Sequence, residues 1–105
     1  MAITIKHLAD GQLAGSKGTI YTCPSGVTAI VRTIQLVNTD SSSRTVNLYV
    51  NSGTSRGIIP KDTTLKAGES LEVDLPVTLE AADLIEGDAS SANLVDYTIS
   101  GIERT

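Results

Sequence analysis

The sequence predicts an all-β domain, an antiparallel β-sandwich of about seven or eight short strands. Apolar and polar residues alternate over short runs, such as Ser70–Leu75 and Leu94–Ile102. Clusters of Gly, Pro, Ser and Asn separate these runs at intervals of roughly 8–12 residues. No apolar period of 3.6 residues persists long enough for a helix. An immunoglobulin-like sandwich and a jelly roll both fit this pattern.

Length and composition indicate one domain, with residues 1–105 as a single β-sandwich and a short N-terminal strand or arm at about residues 1–17. Three tyrosines are the only aromatic residues, so Ile, Val, Leu and Ala must build the core. The scarcity of aromatics and the net charge of −4 argue against nucleic-acid binding. No run approaches the ~18 apolar residues of a membrane span, so no membrane partner is expected.

The longest β-rich stretch is Val27–Val50, and its pattern predicts a hairpin of two strands around the polar loop Asn38–Ser43. Arg32 interrupts the first strand, which favours a bulge near residues 31–32 or an arginine at the rim of the sheet. Alternation along the first strand predicts a core face made of Thr28, Ile30, Ile34 and Leu36. In the second strand the predicted core face is made of Val46, Leu48 and Val50.

The remaining runs are short. Arg56–Pro60 ends at a proline and can be no more than an edge strand. His7–Lys17 reads as a polar connection, and Gly101 as a residue that relieves crowding on an inward face. Leu71, Val73 and Leu75 share the predicted inward face of their run. The further predicted strands are Ala2–Lys6, Thr19–Cys23, Ser70–Leu75, residues 83–89 and Leu94–Ile102.

Charge is distributed unevenly along the chain. Residues 1–66 carry seven Lys or Arg and three Asp or Glu, whereas residues 67–105 carry one Arg and nine Asp or Glu. If these halves form different surfaces, the domain is electrically polar and suited to docking onto a charged neighbour. If strands from both halves interleave, the difference averages out.

No residue pattern predicts catalysis. His7 is the only histidine and lies in a predicted loop, and Cys23 is the only cysteine and is expected to be buried. Nucleophilic catalysis would need such groups together with an orienting partner. Glu72 and Asp74 alternate with core residues, which places them on a solvated face. We therefore expect no enzyme, no catalytic residues and no cofactor.

Asp83, Glu86 and Asp88 are the one group that could offer oxygen ligands to calcium. Their spacing does not match an EF-hand loop, and zinc spacing is absent. An acidic surface turn is the favoured interpretation, so no metal site is predicted.

Seven segments follow one another along the chain: IYTCPSG at 20–26, IQLVNTD at 34–40, RTVNLYV at 44–50, IIPKD at 58–62, LKAGES at 65–70, LEAAD at 79–83 and YTISG at 97–101. Taken in this order, they resemble segments of small β-sandwich virion structural proteins of tailed bacteriophages. The resemblance covers nearly the whole chain. Ala82 stands where glycine is common in that family, which would alter its turn, and Cys23 stands where a valine-like residue is common.

The resemblance implies a non-enzymatic virion protein assembled in the host cytoplasm, foremost a capsid decoration or cement protein or a minor head protein. Its implied partners are the major capsid protein or tail and neck components, with homo-oligomers and a trimer favoured. Our candidate contact elements are Ala2–Lys6 and Arg56–Pro60, because exposed edges favour pairing.

Two alternatives stay open. A tail, neck or fibre module would bind another virion protein or host glycans, and Tyr49, exposed beside Asn47, is the feature that suggests it. The favoured interpretation of Tyr49 is cross-strand packing on a sheet face. A cytoplasmic assembly factor would be absent from mature particles.

Overall fold

The computed structural model describes residues 3–74 and 76–105, whose regular structure is entirely β-strand. These residues form no helix that could span a membrane. Leu75, which was predicted to face the core, lies outside the described residues. So does Ala2, the first residue of the predicted strand Ala2–Lys6. The strands are β1 Ile3–Gln12, β2 Gly18–Thr22, β3 Thr28–Asn38, β4 Arg44–Asn51, β5 Ser55–Gly57, β6 Thr63–Leu65, β7 Ser70–Val73, β8 Val77–Leu79, β9 Leu84–Ala89 and β10 Val95–Arg104.

Two antiparallel sheets pack face to face, which confirms the predicted sandwich. The front sheet has the order β1-β10-β3-β7, with β8 also paired to β3. The back sheet has the order β2-β9-β4-β5, with β6 also paired to β4. The short strands β5 and β6 share one partner, as do β7 and β8. Counting each such pair as one interrupted strand gives eight strands, within the predicted number.

This strand order is a jelly roll. The first strand pairs with the last, β2 with β9, β3 with β7 and β8, and β4 with β5 and β6. With each interrupted pair counted as one strand, consecutive strands alternate between the sheets everywhere except at the β4–β5 turn. Of the two topologies that the sequence left open, the structure selects this one.

The predicted hairpin over Val27–Val50 is wrong, because β3 lies in the front sheet and β4 in the back sheet. Its polar loop is an arch that carries the chain across the sandwich. The hairpin in this region is β4–β5 instead, where Asn51 pairs with Ser55 and Tyr49 with Gly57. Local turn residues are alike in both connections, so alternation alone did not distinguish an arch from a hairpin.

Asn38 holds the arch in place. This residue is fully buried, and its side-chain NH2 group donates to the carbonyl oxygens of Ser42 at 2.9 Å and Leu65 at 3.0 Å. A third contact reaches the Lys66 carbonyl at 3.2 Å, and the side-chain oxygen accepts from the Asp40 N–H at 3.0 Å. The prediction had placed Asn38 in the loop itself.

The predicted bulge in β3 is confirmed, and it changes the core face. Thr33 is opposite Ser100 and Val31 is opposite Gly101, so Arg32 is the extra residue. Inward and outward positions exchange across a bulge. The core therefore takes Ala29 and Val31 before it, and Ile34 and Leu36 after it. The predicted core positions Thr28 and Ile30 are wrong, since both lie on the other face.

The inward face of β4 is confirmed for Val46 and Leu48, which are 0% and 1% exposed. Val50 packs against the core from its margin. The first strand is longer than predicted, because nine residues of β10 pair with it and the pairing continues to Gln12. Much of the predicted connection His7–Lys17 is therefore strand.

Gly101 occupies a position where no side chain fits. A Cβ atom there would lie 2.1 Å from the carbonyl oxygen of Ile30 and 3.1 Å from Leu8 Cδ1. The first of these is backbone, which cannot turn aside as a side chain would. The β3 bulge lies beside Gly101, and the Ile30 carbonyl there leaves no room for a side chain. This contact is the cause of the crowding that the sequence predicted.

We expect Gly101→Ala to lower the free energy of unfolding by about 2–4 kcal/mol, because the ladder must separate locally. Gly15→Ala is the matched control, since a Cβ there meets backbone only at 3.6 Å. Urea denaturation of both variants measures the difference. Equal stability of the two variants would contradict the close approach of the strands.

The turn before β9 keeps the geometry of a glycine turn although Ala82 occupies it. Ala82 has a φ of 73°, in the left-handed region that disfavours side chains. Its N–H donates to the Cys23 carbonyl at 2.9 Å, and the Asp83 N–H donates to the Glu80 carbonyl at 3.0 Å. The backbone at Ala82 therefore keeps a conformation that glycine adopts easily. With an alanine side chain this conformation is strained.

Ala82→Gly should raise the free energy of unfolding by about 0.5–1 kcal/mol. The backbone strain that it removes from the folded state should exceed the cost of the extra conformational entropy that glycine gives the unfolded chain. Ala81→Gly next to it should be neutral or destabilising, because Ala81 is not among the positive-φ residues. Thermal melts of the two variants give the comparison. A destabilised Ala82→Gly variant would show that the turn is not left-handed.

Candidate assembly surface

Four isoleucines form an outward-facing cluster on the front sheet, which we call the isoleucine patch: Ile3, Ile5, Ile30 and Ile102. Ile5 is paired with Ile102 and Ile102 with Ile30, so the three side chains form a row across β1, β10 and β3. Ile5 is 83% exposed and Ile3 66%, and these are the two large apolar side chains that stand in solvent among the described residues.

Two grooves meet at Ile102 within this patch. Arg32 and His7 line one groove, and Arg104 lines the other. None of the described residues that line either groove is acidic. The patch therefore combines an apolar centre with a basic rim.

The opposite end of the same outer face is acidic. Asp10 is paired with Thr98, Thr98 with Gln35 and Gln35 with Glu72, which makes a row across four strands. Asp96 follows in the next row. The strands of the two halves of the chain interleave in both sheets, so the charge difference along the sequence does not separate them into two surfaces. The basic and acidic ends of this face each contain residues from both halves of the chain, since Arg104 lies at the basic end and Asp10 at the acidic end.

Lys6, Glu103 and Tyr21 hold β1 in position. The Lys6 ammonium donates to Glu103 Oε1 at 3.1 Å, and the Tyr21 hydroxyl donates to Oε2 at 2.7 Å. The hydrogen bond from Tyr21, assisted by Lys6, holds the pKa of Glu103 below its ordinary value of 4.5 against partial burial. Burial and this carboxylate raise the pKa of Tyr21. The three groups connect the front sheet to the back sheet beside the patch.

This connection should weaken in acid. Because the pKa of Glu103 is lowered in the folded protein, its stabilisation is present above pH 4.5 and is lost as pH falls through the folded value. We expect Glu103→Gln to melt about 2–5 °C below the wild type at pH 7 and much closer to it at pH 3. The exposed Glu72→Gln variant on the same sheet is the control. A pH-independent difference for Glu103→Gln would refute the connection.

Only one sheet edge among the described residues is long and uninterrupted. β1 runs for ten residues without proline, with a bulge between His7 and Ala9. The edge formed by β7 and β8 is broken at Pro76, and that of β5 and β6 at Pro60. β2 has five residues and ends near Pro24. Prolines and short strands protect edges from pairing, and β1 lacks that protection.

Both predicted contact elements therefore lie at edges. The predicted element Ala2–Lys6 lies, from Ile3 onward, in the long edge β1 and includes half of the isoleucine patch. The segment Arg56–Pro60 contains the end of β5, and its Ile58 and Ile59 pack against the core. The patch itself was missed because the sequence pattern assigned Ile30 to the interior.

The outer face of the back sheet differs in character. Asn47 is 8% exposed and donates to Asp62 at 3.0 Å and Asp88 at 2.9 Å. The Tyr49 hydroxyl donates to Asp88 at 3.2 Å, and the Lys17 ammonium lies 4.8 Å from the centre of the Tyr49 ring. The exposed Tyr49 that would suggest glycan binding is not found. Tyr49 is half-buried in a network whose polar groups already have partners, which agrees with the favoured packing on the sheet face.

The three carboxylates considered for calcium are bound to different donors. Asp83 accepts from the Glu80 N–H at 3.0 Å, Glu86 accepts from Asn51 at 3.3 Å, and Asp88 belongs to the Asn47 network. Within residues 3–74 and 76–105, no group of three His, Cys, Asp or Glu side chains is placed to hold a metal ion.

His7 and Cys23 are not brought together. His7 Nε2 lies 3.1 Å from Asp10 Oδ2 at the surface. Cys23 is 1% exposed, as predicted, and its thiol donates to the carbonyl oxygens of Val27 at 3.3 Å and Leu79 at 3.6 Å. Burial raises the pKa of this thiol. A raised pKa and burial make an unreactive cysteine.

No family model and no curated protein matches this sequence. The fold is shared with several solved structures. A chain of the acid-stable capsid of Helicobacter pylori bacteriophage KHP30 has a TM-score of 0.56 at 14% identity, with 97% of this chain and 92% of that chain covered. A protein of the Bacillus endospore appendages, described as disulfide-linked pili, has a TM-score of 0.55 at 17% identity. That match covers 98% of this chain and 88% of the appendage protein.

A chain of the infectious bursal disease virus Gx strain has a TM-score of 0.54 at 13% identity. The match covers 97% of this chain and 32% of the viral one. At such low identities the similarity shows the fold alone. That fold occurs in proteins of two viral particles and of one appendage.

Proposed function

We propose that this chain is a non-enzymatic structural component of a bacteriophage virion, foremost a capsid decoration or cement protein or a minor head protein on the particle surface. The observation that carries the proposal is the isoleucine patch beside the open edge of β1. A protein that works free in solution has little reason to keep two isoleucines mostly exposed on one face. The capsid folds it resembles supply the context.

The similarity to the endospore appendage protein suggests a second structural role, as a subunit of a disulfide-linked filament. The single cysteine of this chain argues against that role. Cys23 is the only cysteine of this sequence, and it is 1% exposed. A disulfide between subunits requires an accessible thiol whose partner can approach closely. This chain is therefore better suited to a non-covalent assembly.

The partner that we propose is another virion protein, in the first place the major capsid protein, with a tail or neck component as the alternative. Homo-oligomerisation, with a trimer favoured, would use a different surface such as the segment Arg56–Pro60. Binding of host glycans is a weaker candidate, because Lys17 and Asp88 already engage Tyr49. An assembly factor would fold in the same way but would not stay in the particle.

Particles of the phage that encodes the chain test the proposal. Mass spectrometry of purified virions, with heads and tails separated, should find the chain in the head fraction. Its presence in tails alone would favour the tail or neck alternative, and its absence from particles would favour the assembly factor.

The patch is tested on the same particles. We expect Ile5→Asp to fold normally, since the side chain is 83% exposed, and to lose about tenfold or more in affinity for particles that lack the protein. Thr64→Asp on the exposed face of β6 is the matched control and should bind as the wild type does. Co-sedimentation measures both. Equal binding by the two variants would exclude the patch as the contact.

A further inference from the structure

We propose that the free edge of β1 accepts an extended segment of another virion protein as an added strand, and that apolar residues alternate with carboxylates in this segment. That the segment comes from another virion protein rests on the proposed function. The chemistry of the segment follows from β1 itself.

The edge supplies the backbone contacts. An edge strand directs the N–H and C=O groups of alternate residues away from its sheet, where a further strand can pair with them. Nine of the ten residues of β1 pair with β10 on one side, and Leu8 is left out of the ladder as a bulge. No other edge among the described strands offers a comparable length.

The outward side chains of the added strand would be apolar. Side chains of directly paired residues on neighbouring strands point to the same face, with Cβ atoms about 5 Å apart. Residues added beside Ile3 and Ile5 would therefore extend the row formed by Ile5, Ile102 and Ile30. An apolar side chain there would cover the isoleucines that are now 66% and 83% exposed.

The inward side chains of the added strand would be acidic. Lys6 points to the opposite face from Ile5 and uses one contact to Glu103, and its side chain is still 44% exposed. A carboxylate on the added strand would lie next to this ammonium. The two faces together require alternation of apolar and acidic residues, which is the period of a strand.

A second copy of this chain does not fit this site. Pairing two β1 strands over residues 3–7 brings the Lys6 groups of both copies to one face and supplies no carboxylate to either. Stacking the outer faces patch on patch sets the basic rims against each other. Stacking the patch on the acidic end leaves isoleucines against carboxylates. The complementary partner is therefore a different polypeptide.

The test uses the isolated chain and three short synthetic peptides at pH 7. The first alternates valine with glutamate, the second alternates valine with lysine, and the third is the first peptide methylated at alternate backbone nitrogens. Calorimetry gives the affinities and NMR hydrogen exchange gives the location. We expect the glutamate peptide to bind and to slow exchange along β1. The lysine and methylated peptides should bind at least about tenfold more weakly.

A variant pair identifies the charge. Lys6→Gln should reduce the preference for the glutamate over the lysine peptide, whereas Lys17→Gln, whose ammonium lies on the back sheet, should leave it unchanged. Equal binding of the glutamate and methylated peptides, protection confined to β5, or dimerisation through β1 would overturn the inference. So would no binding at all. The virion role would then still stand or fall on the particle experiments, which do not depend on the peptides.

Discussion

The sandwich depends on how the chain crosses from one sheet to the other after β3, and the buried amide of Asn38 makes that crossing possible. Its NH2 group contacts carbonyl oxygens in the arch and in the segment after β6, so one side chain ties three parts of the chain together. Buried carbonyl groups without such a donor would cost free energy. The Asn38 backbone also pairs with Glu69 and Gly68. With this crossing held, strands that are distant in sequence can pair.

The bulges of the front sheet decide which residues meet solvent. The extra residues in β1 and β3, at Leu8 and Arg32, lie at neighbouring positions along the two sides of β10. Inward and outward positions exchange there, which turns Ile30 outward while Ile34 stays in the core. Without the β3 bulge the same sequence would bury Ile30 and have no continuous isoleucine row. The isoleucine patch is thus a product of strand irregularity and not of composition.

These features explain how far the sequence alone could reach. Alternation and turn residues were sufficient for the fold class, for the interior of β4 and for the bulge at Arg32. They were insufficient for the pairing of β3, because an arch and a hairpin contain the same polar residues. They also failed for Ile30, and they did not identify the partners of Tyr49. The parity at Ile30 depends on which residue bulges, and the environment of Tyr49 depends on Lys17 and Asp88, which are remote in sequence.

The two outer faces of the sandwich differ in what it would cost to cover them. On the back sheet, buried Asn47 and its carboxylate partners satisfy one another, so a partner would have to break existing hydrogen bonds to bind there. On the front sheet, covering the isoleucine patch removes apolar surface from water and breaks no bond that the described residues make there. The front face could therefore be covered at a lower cost in broken hydrogen bonds than the back face. The Lys6–Glu103–Tyr21 contact joins the two sheets beside the patch and holds β1 against the core.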